Sequence, residues 1–266
     1  MTDTFERSCD HWSEARRAEM DDFYSLATVD YDHLARSRDW TAWFESLQHQ
    51  AGDRPLRLLD VACGSGKFPR ALLKSTHLGR SNIQPVHYDL LDPSAFSIDE
   101  ARKQLSTPFM GNRGFECTLQ DFDGNGYDVV WATHALYAVP PDELKTALIR
   151  FLEALSGEGF IAHSSSEGHY IEFYRLFLES MRDGKGTPYT SAEQIEACLR
   201  ELGARVEATT IRYENGVPVS DTATVEGFLQ RCVFDDSVTL SQMLEHRELA
   251  AYLEPCRTER GWRFPQ

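Results

Sequence analysis

Between Leu58 and Phe68 the chain reads LLDVACGSGKF: apolar residues interrupted by one acid, then a cysteine, then two glycines around a serine. The apolar run reads as a buried strand. Gly64 and Gly66 impose a turn before the helix that residues 67–75, KFPRALLKS, would form. A strand that ends in a glycine-rich turn and opens a helix is the start of a nucleotide-binding α/β unit. Two versions of that unit are excluded at once. The dinucleotide fingerprint needs a third glycine where Pro69 stands, and a P-loop needs a GK[ST] that does not follow. Asp60, at the end of the strand, would repel a pyrophosphate and suits a ligand carrying positive charge.

The rest of the chain repeats the same rhythm. DDFYSLATVDYDHLA (21–35) and DWTAWFESLQHQ (39–50) place aromatics and leucines at helical spacing. QPVHYDLLD (84–92) reads as a buried strand and SIDEARKQL (97–105) as a helix. FECTLQ (115–120) and YDVVWAT (127–133) read as strands, with the turn-rich DFDGNG between them. PDELKTALIRFLEAL (141–155) is an amphipathic helix that Gly157 and Gly159 are expected to close, and FIAHSSS (160–166) is a further strand. HYIEFYRLFLESMR (169–182) follows, then TSAEQIEACLREL (190–202), in which Ser191 and Gln194 form a capping-box pattern. GARVEATTIRYENGVPVSDT (203–222) suggests a strand with a turn, and the remainder from Val225 is mostly helical. This alternation predicts an α/β fold with a doubly wound, mostly parallel sheet. Residues 1–50 would form an N-terminal helical cap over the active site, and residues 51–266 the main domain with a C-terminal part that closes on the substrate.

Composition narrows the function. The formal charge of −15 opposes binding to nucleic acid or an anionic membrane and favours a small cationic partner. No apolar run is long enough to span a bilayer, and the polar, acidic N-terminus does not read as a signal peptide. The six cysteines are scattered without CxxC or histidine at ligand spacing, so no metal site is expected, and reduced thiols in a cytoplasmic protein are the plain reading. The sequence is silent on oligomeric state.

DVACGSG resembles motif I of the class I S-adenosylmethionine-dependent methyltransferases, with Ala62 in place of the first glycine. The resemblance implies a Rossmann-like fold, S-adenosyl-L-methionine as cofactor and S-adenosyl-L-homocysteine as product. It implies that Asp60 holds the methionine end of the cofactor while Ala62, Gly64 and Gly66 let the backbone approach its ribose and sulfonium. A second acid should close the next strand and accept from the two ribose hydroxyls. Strand alternation and the stop at Pro93 favour Asp92, with Asp89 the lesser choice. Asp121 and Phe122 would serve the adenine, and Thr133 completes the cofactor set.

Over most of its length the chain also resembles the histamine N-methyltransferase family. The stretches that carry this are LLDPSAFSIDEARK, THALYAVPP with GEGFIAHSSSEGHY, PYTSAEQIEACLRELG and VEGFLQRCVFDDSVTLSQML. The resemblance implies that Asp30 faces a cationic amine, with Phe23, Tyr24 and Tyr31 around it; Asp32 is an equally placed neighbour. His134 stands where that family has glutamine, and it could be a general base, an orienting donor or a histidine lining the cofactor rim; Tyr137 would wall the same pocket. The chain ends at GWRFPQ, where the family continues into a last strand, so either that strand is missing or the fold ends differently. The expected activity is methyl transfer to a small molecule, at an amine or imidazole nitrogen. The alternatives are an O- or C-methyltransferase of a biosynthetic pathway, or a binding protein that kept the fold without catalysis.

Overall fold

The computed structural model describes residues 3–218 and 221–266. Three helices come first: α1 (Asp3–His11), α2 (Arg17–Arg36) and α3 (Trp40–Ala51), the last capped by Asp39, whose side chain accepts from the Ala42 N–H. Then strand and helix alternate as β1 (Arg57–Val61), α4 (Lys67–Ser75), β2 (Val86–Leu91), α5 (Ala95–Gln104), β3 (Phe109–Phe115), β4 (Tyr127–Thr133), α6 (Leu144–Ala154) and β5 (Leu155–Ala162). The strands form one parallel sheet in the order β3-β2-β1-β4-β5. The order reverses between β1 and β4. A crevice therefore opens at their carboxyl ends, where such sheets hold ligands.

The period-2 alternation of the central strands sorts two cores. Leu58, Val129 and Trp131 face one side, packed with Trp40 and Phe44 of α3 and Phe68 and Leu72 of α4. Leu59, Val61, Val130 and Ala132 face the other, packed against Leu148 and Phe151 of α6 and against Ile195 and Leu199. The last two belong to α8 (Ala192–Glu201), which begins with the Ser191–Gln194 capping box. Burial on both faces explains why β1 and β4 are almost continuously apolar.

A third core joins α7 (His169–Met181), α9 (Thr222–Cys232), α10 (Leu240–Glu245) and α11 (Arg247–Leu253) to Leu26 of α2. It also holds a small antiparallel sheet of β6 (Glu214–Pro218), β7 (Arg257–Thr258) and β8 (Gly261–Pro265), in the order β6-β8-β7.

Four expectations need correction. The third strand is Phe109–Phe115, and residues 116–120 of FECTLQ lie beyond its end. Gly157 and Gly159 do not close a helix; α6 stops at Ala154 and both glycines lie inside β5. The strand in 203–222 is confined to Glu214–Pro218, and Val219 and Ser220 lie outside the described residues. The terminal GWRFPQ is itself a strand, paired with β6.

Candidate active site

The glycine turn after β1 is wound by left-handed residues: Ala62 (φ 48°), Gly64 (φ 50°) and Gly66 (φ 69°). Ala62 pays about 1 kcal/mol for that conformation. Gly66 is demanded twice, because a Cβ there would also lie 2.9 Å from the Ala101 Cα of α5. Gly66 thus lets α4 start close against α5 without lining the cavity itself.

Above this turn, the ends of β1, β2 and β4 open into a cavity of about 540 Å³, within the size range of small-molecule sites. α1, α2 and α9 supply its other walls. α1 is tethered over it by Thr4, whose hydroxyl donates to the Thr187 carbonyl at 2.9 Å and lies 2.9 Å from the Tyr174 hydroxyl.

Of the residues expected at a cofactor site, Asp60, Ala62, Gly64, Asp92 and Thr133 line this cavity. Asp60 is buried and accepts from the Tyr88 hydroxyl at 2.7 Å. Burial pushes its carboxyl up to about 7, opposed by the Tyr88 bond and reinforced by the charge of Asp92. Asp92 accepts from the Gly64 N–H (3.0 Å) with one oxygen and from the Ser94 N–H (2.9 Å) with the other. Burial still pushes it up to about 6. Both groups accept hydrogen bonds from neutral donors, and neither meets a lysine or arginine among the bonds and ion pairs of the described residues.

Asp89 is spent elsewhere. It accepts from the Asn112 amide, the Arg113 backbone and guanidinium and the Tyr127 hydroxyl; although burial opposes ionisation, these bonds hold its carboxyl below the ordinary range. It ties β2 to β3 and β4, and of the two acids Asp92 is the one that lines the cavity. Asp121 and Phe122 are also placed elsewhere. Asp121 is exposed and accepts from the Thr118 hydroxyl at 2.8 Å, while Phe122 is buried against Phe115, at 5.0 Å between ring centroids. Because β3 ends at Phe115, the chain that meets the cavity is residues 116–120.

The expected substrate residues are brought to the same cavity. Tyr24, Asp30, Tyr31, His134 and Tyr137 all line it. Asp30 is buried and accepts from the Tyr170 hydroxyl (2.7 Å) and the Asn215 amide (3.0 Å), and burial pushes its carboxyl up to about 6. Asp32 instead lies 3.6 Å from Lys74 of α4. Tyr24 lies beneath the Lys67 ammonium, 4.4 Å from its ring centroid, and burial pushes its hydroxyl up to about 12. His134 has positive φ (52°), and its backbone N–H donates to the Ala162 carbonyl. Its Nδ1 lies 2.7 Å from the Tyr137 hydroxyl, and burial pushes its imidazole down to about 4. Phe23 and Trp12 meet edge to face at 5.5 Å in the same wall.

Arg231 is among the cavity residues that the sequence candidates did not include. Arg231 of α9 is 1% exposed, its guanidinium 2.6 Å from His11 Nδ1 and 5.7 Å from the Trp12 ring. The visible signal was a lone arginine inside the apolar run VEGFLQRCVF. Among the described residues no cluster of His, Cys, Asp or Glu could hold a metal ion, and no helix is long and apolar enough to cross a membrane.

Residues 59–161 match the family model described as a methyltransferase domain. Among solved structures, the chain is similar to magnesium protoporphyrin IX methyltransferase from Synechocystis PCC 6803 with bound SAH, at 14% identity and a TM-score of 0.54, covering 81% of this chain and 94% of that one. It is likewise similar to a putative methyltransferase from Bacillus halodurans C-125, at 15% identity and a TM-score of 0.51, covering 84% and 94%. At such identities the structural likeness speaks for the fold. No curated protein matches the chain, and the resemblance to histamine N-methyltransferases gains no support. The fold is that of the class I methyltransferases, and residues 59–161 carry the methyltransferase-domain match. The methyl donor of that class is S-adenosylmethionine.

The residues present fit this cofactor. Its ammonium suits the buried Asp60, which meets no cation among the described residues, and its ribose hydroxyls suit Asp92. A side chain at Gly64 would enter the cavity, its Cβ 3.7 Å from the Tyr24 hydroxyl.

Proposed function

We propose that the protein methylates a small molecule at an amine or imidazole nitrogen, with the acceptor seated between α2 and His134. The cofactor supplies a methyl carbon made electrophilic by the adjoining sulfonium. Asp60 would hold the ammonium of the cofactor and Asp92 its ribose hydroxyls, residues 116–120 would serve the adenine, and the acceptor would take the part of the cavity lined by Asp30 and His134. Asp30 attracts a cationic acceptor and the surrounding rings orient it, the main service a protein gives to an in-line displacement. A protonated acceptor nitrogen would first release its proton to solvent, and its lone pair would then form the new N–C bond as the S–C bond breaks.

The observation that carries this reading is the buried Asp30 carboxylate in the cavity wall, which meets neutral donors and no lysine or arginine among the described contacts. The competing reading is an oxygen acceptor. It is favoured by the two hydrogen bonds Asp30 already accepts, which weaken its pull on a cation.

The test is a panel of amines, imidazoles and phenols incubated with S-adenosylmethionine, with S-adenosylhomocysteine as the readout, on the wild type and Asp30→Asn. Loss of the buried charge is expected to raise KM for a cationic acceptor roughly 30-fold and to leave a neutral phenol's KM nearly unchanged. Turnover of phenols alone, indifferent to Asp30→Asn, would assign the oxygen reading. No turnover with any acceptor, together with S-adenosylhomocysteine binding seen by calorimetric titration, would leave a protein that binds the cofactor without using it.

A further inference from the structure

The His134 side chain is half of a hydrogen-bond chain whose direction can be worked out. Tyr137 lies in the loop between β4 and α6, its backbone carbonyl accepting from the Thr190 N–H at 3.2 Å and its ring 4.0 Å from that of His163. The phenol is therefore fixed in place. Its oxygen accepts from the Ser164 N–H at 3.3 Å and lies 2.7 Å from His134 Nδ1. A phenol has one proton and a backbone amide can only donate. With the Ser164 bond taken on its oxygen, the phenol's own proton has one described acceptor, which is His134 Nδ1. The alternative, Nδ1–H donating to the phenol, would leave the phenolic proton buried without a partner, at a cost of about 1–3 kcal/mol.

With Nδ1 accepting, the proton of the neutral ring sits on Nε2. That atom is buried and meets no hydrogen-bond partner among the described residues, which in the wall of a ligand cavity asks for a ligand.

We propose that Tyr137 is a positioning residue that locks His134 as its Nε2–H tautomer, so that His134 donates a hydrogen bond to the acceptor molecule and does not take its proton. The inference rests on reading this compartment as the acceptor site, and it narrows the substrate class. The molecule presents a hydrogen-bond acceptor beside its nucleophile: a carbonyl, an unprotonated ring nitrogen or a phenolic oxygen. Aromatic walls favour a planar ring, since Tyr31 and Tyr170 meet the imidazole edge to face at 5.7 and 6.2 Å. The low pKa of His134 agrees, because a ring that stays neutral keeps one donor and one acceptor.

The tautomer is read directly by long-range ¹H–¹⁵N NMR of ¹⁵N-histidine-labelled protein near pH 7, with His134 assigned from the signals that His134→Gln removes. The expected result is the Nε2–H pattern in the wild type and its partial or complete conversion to Nδ1–H in Tyr137→Phe. An Nδ1–H pattern in the wild type would overturn the proposal, as would an Nε2–H pattern that Tyr137→Phe leaves alone. Neither spectrum needs an acceptor, so this arm stands or falls apart from the proposed activity. If the panel above yields an acceptor, His134→Gln keeps a donor and His134→Leu keeps none. The glutamine variant is then expected to turn over at least about tenfold faster. Equal losses in the two variants would point to a base and against a donor.

Discussion

Asp92 shows how much a single residue holds in this site. Its two oxygens fasten the Gly64 and Ser94 backbone amides, so it shapes the glycine turn as well as facing the cavity. Asp92→Ala would remove the ribose-facing carboxylate and leave two amide protons without their acceptor. S-adenosylhomocysteine affinity is expected to fall at least about 30-fold, the equivalent of losing one or two charge-assisted bonds, as measured by calorimetric titration. An affinity within threefold of wild type would remove Asp92 from the cofactor site. Asp60, Gly64 and Asp92 were legible in the sequence because their placement is local: each sits at a strand tip or in the turn after it. Asp121 and Phe122 were misplaced because that inference hung on where β3 ends. Arg231 could not be placed at all, since its meaning comes from His11 and Trp12, more than two hundred residues away in the chain.

Elements with two buried faces could be read with little error, and β1 and β4 were found within a residue or two. β3 was not, because it is an edge strand. Its FMGNRGF sequence is exposed over residues 110–114 and carries no apolar alternation. Where the chain needs a strand for backbone pairing alone, side-chain patterning is silent. The glycines of β5 misled for a similar reason: a glycine after an amphipathic run also marks a close backbone approach. At Gly157 the approach is explicit, since a Cβ there would lie 2.3 Å from the Asp128 carbonyl oxygen of β4. Gly157→Ala must push β5 away from β4 and is expected to destabilise the protein by about 2 kcal/mol or more, read as a lowered urea midpoint. Gly184→Ala is the control. That position has positive φ (72°) but open space around it, so only the conformational cost of about 1 kcal/mol applies. A Gly157→Ala midpoint no lower than that of Gly184→Ala would show that the strands have room to part.

At the scale of the whole molecule, cofactor binding and proton binding should be coupled. Burial raises Asp30 and Asp92 to about 6 and Asp60 to about 7. Between the ordinary carboxylate value of about 4 and these values, the folded chain binds protons that the unfolded chain has released. These three acids therefore add stability as the pH falls. Burial acts oppositely on His134, lowered to about 4, and on His163 and His169, each lowered to about 3. Below about 6.5 the unfolded chain protonates these rings and the folded one does not, so stability drains away as the pH falls. From about pH 6 to about pH 5 three protons oppose three, and the stability of the ligand-free protein should be nearly flat; nearer pH 4 the carboxyls held low, such as Asp89, make it fall. S-adenosylhomocysteine breaks the balance, because its ammonium and ribose hydroxyls need Asp60 and Asp92 ionised. Binding must then release up to two protons near pH 5.5, and affinity should weaken on acidification by up to about tenfold per pH unit for each proton. Titration calorimetry at pH 7.5, 6.5 and 5.5, in buffers of different ionisation enthalpy, counts those protons directly. A release between one and two protons at pH 5.5, shrinking toward zero at pH 7.5, is the expected result. Affinity and proton count that stay level across this range would mean that the two carboxylates do not change ionisation when the cofactor site fills, and the assignment of Asp60 to the ammonium would fail with them.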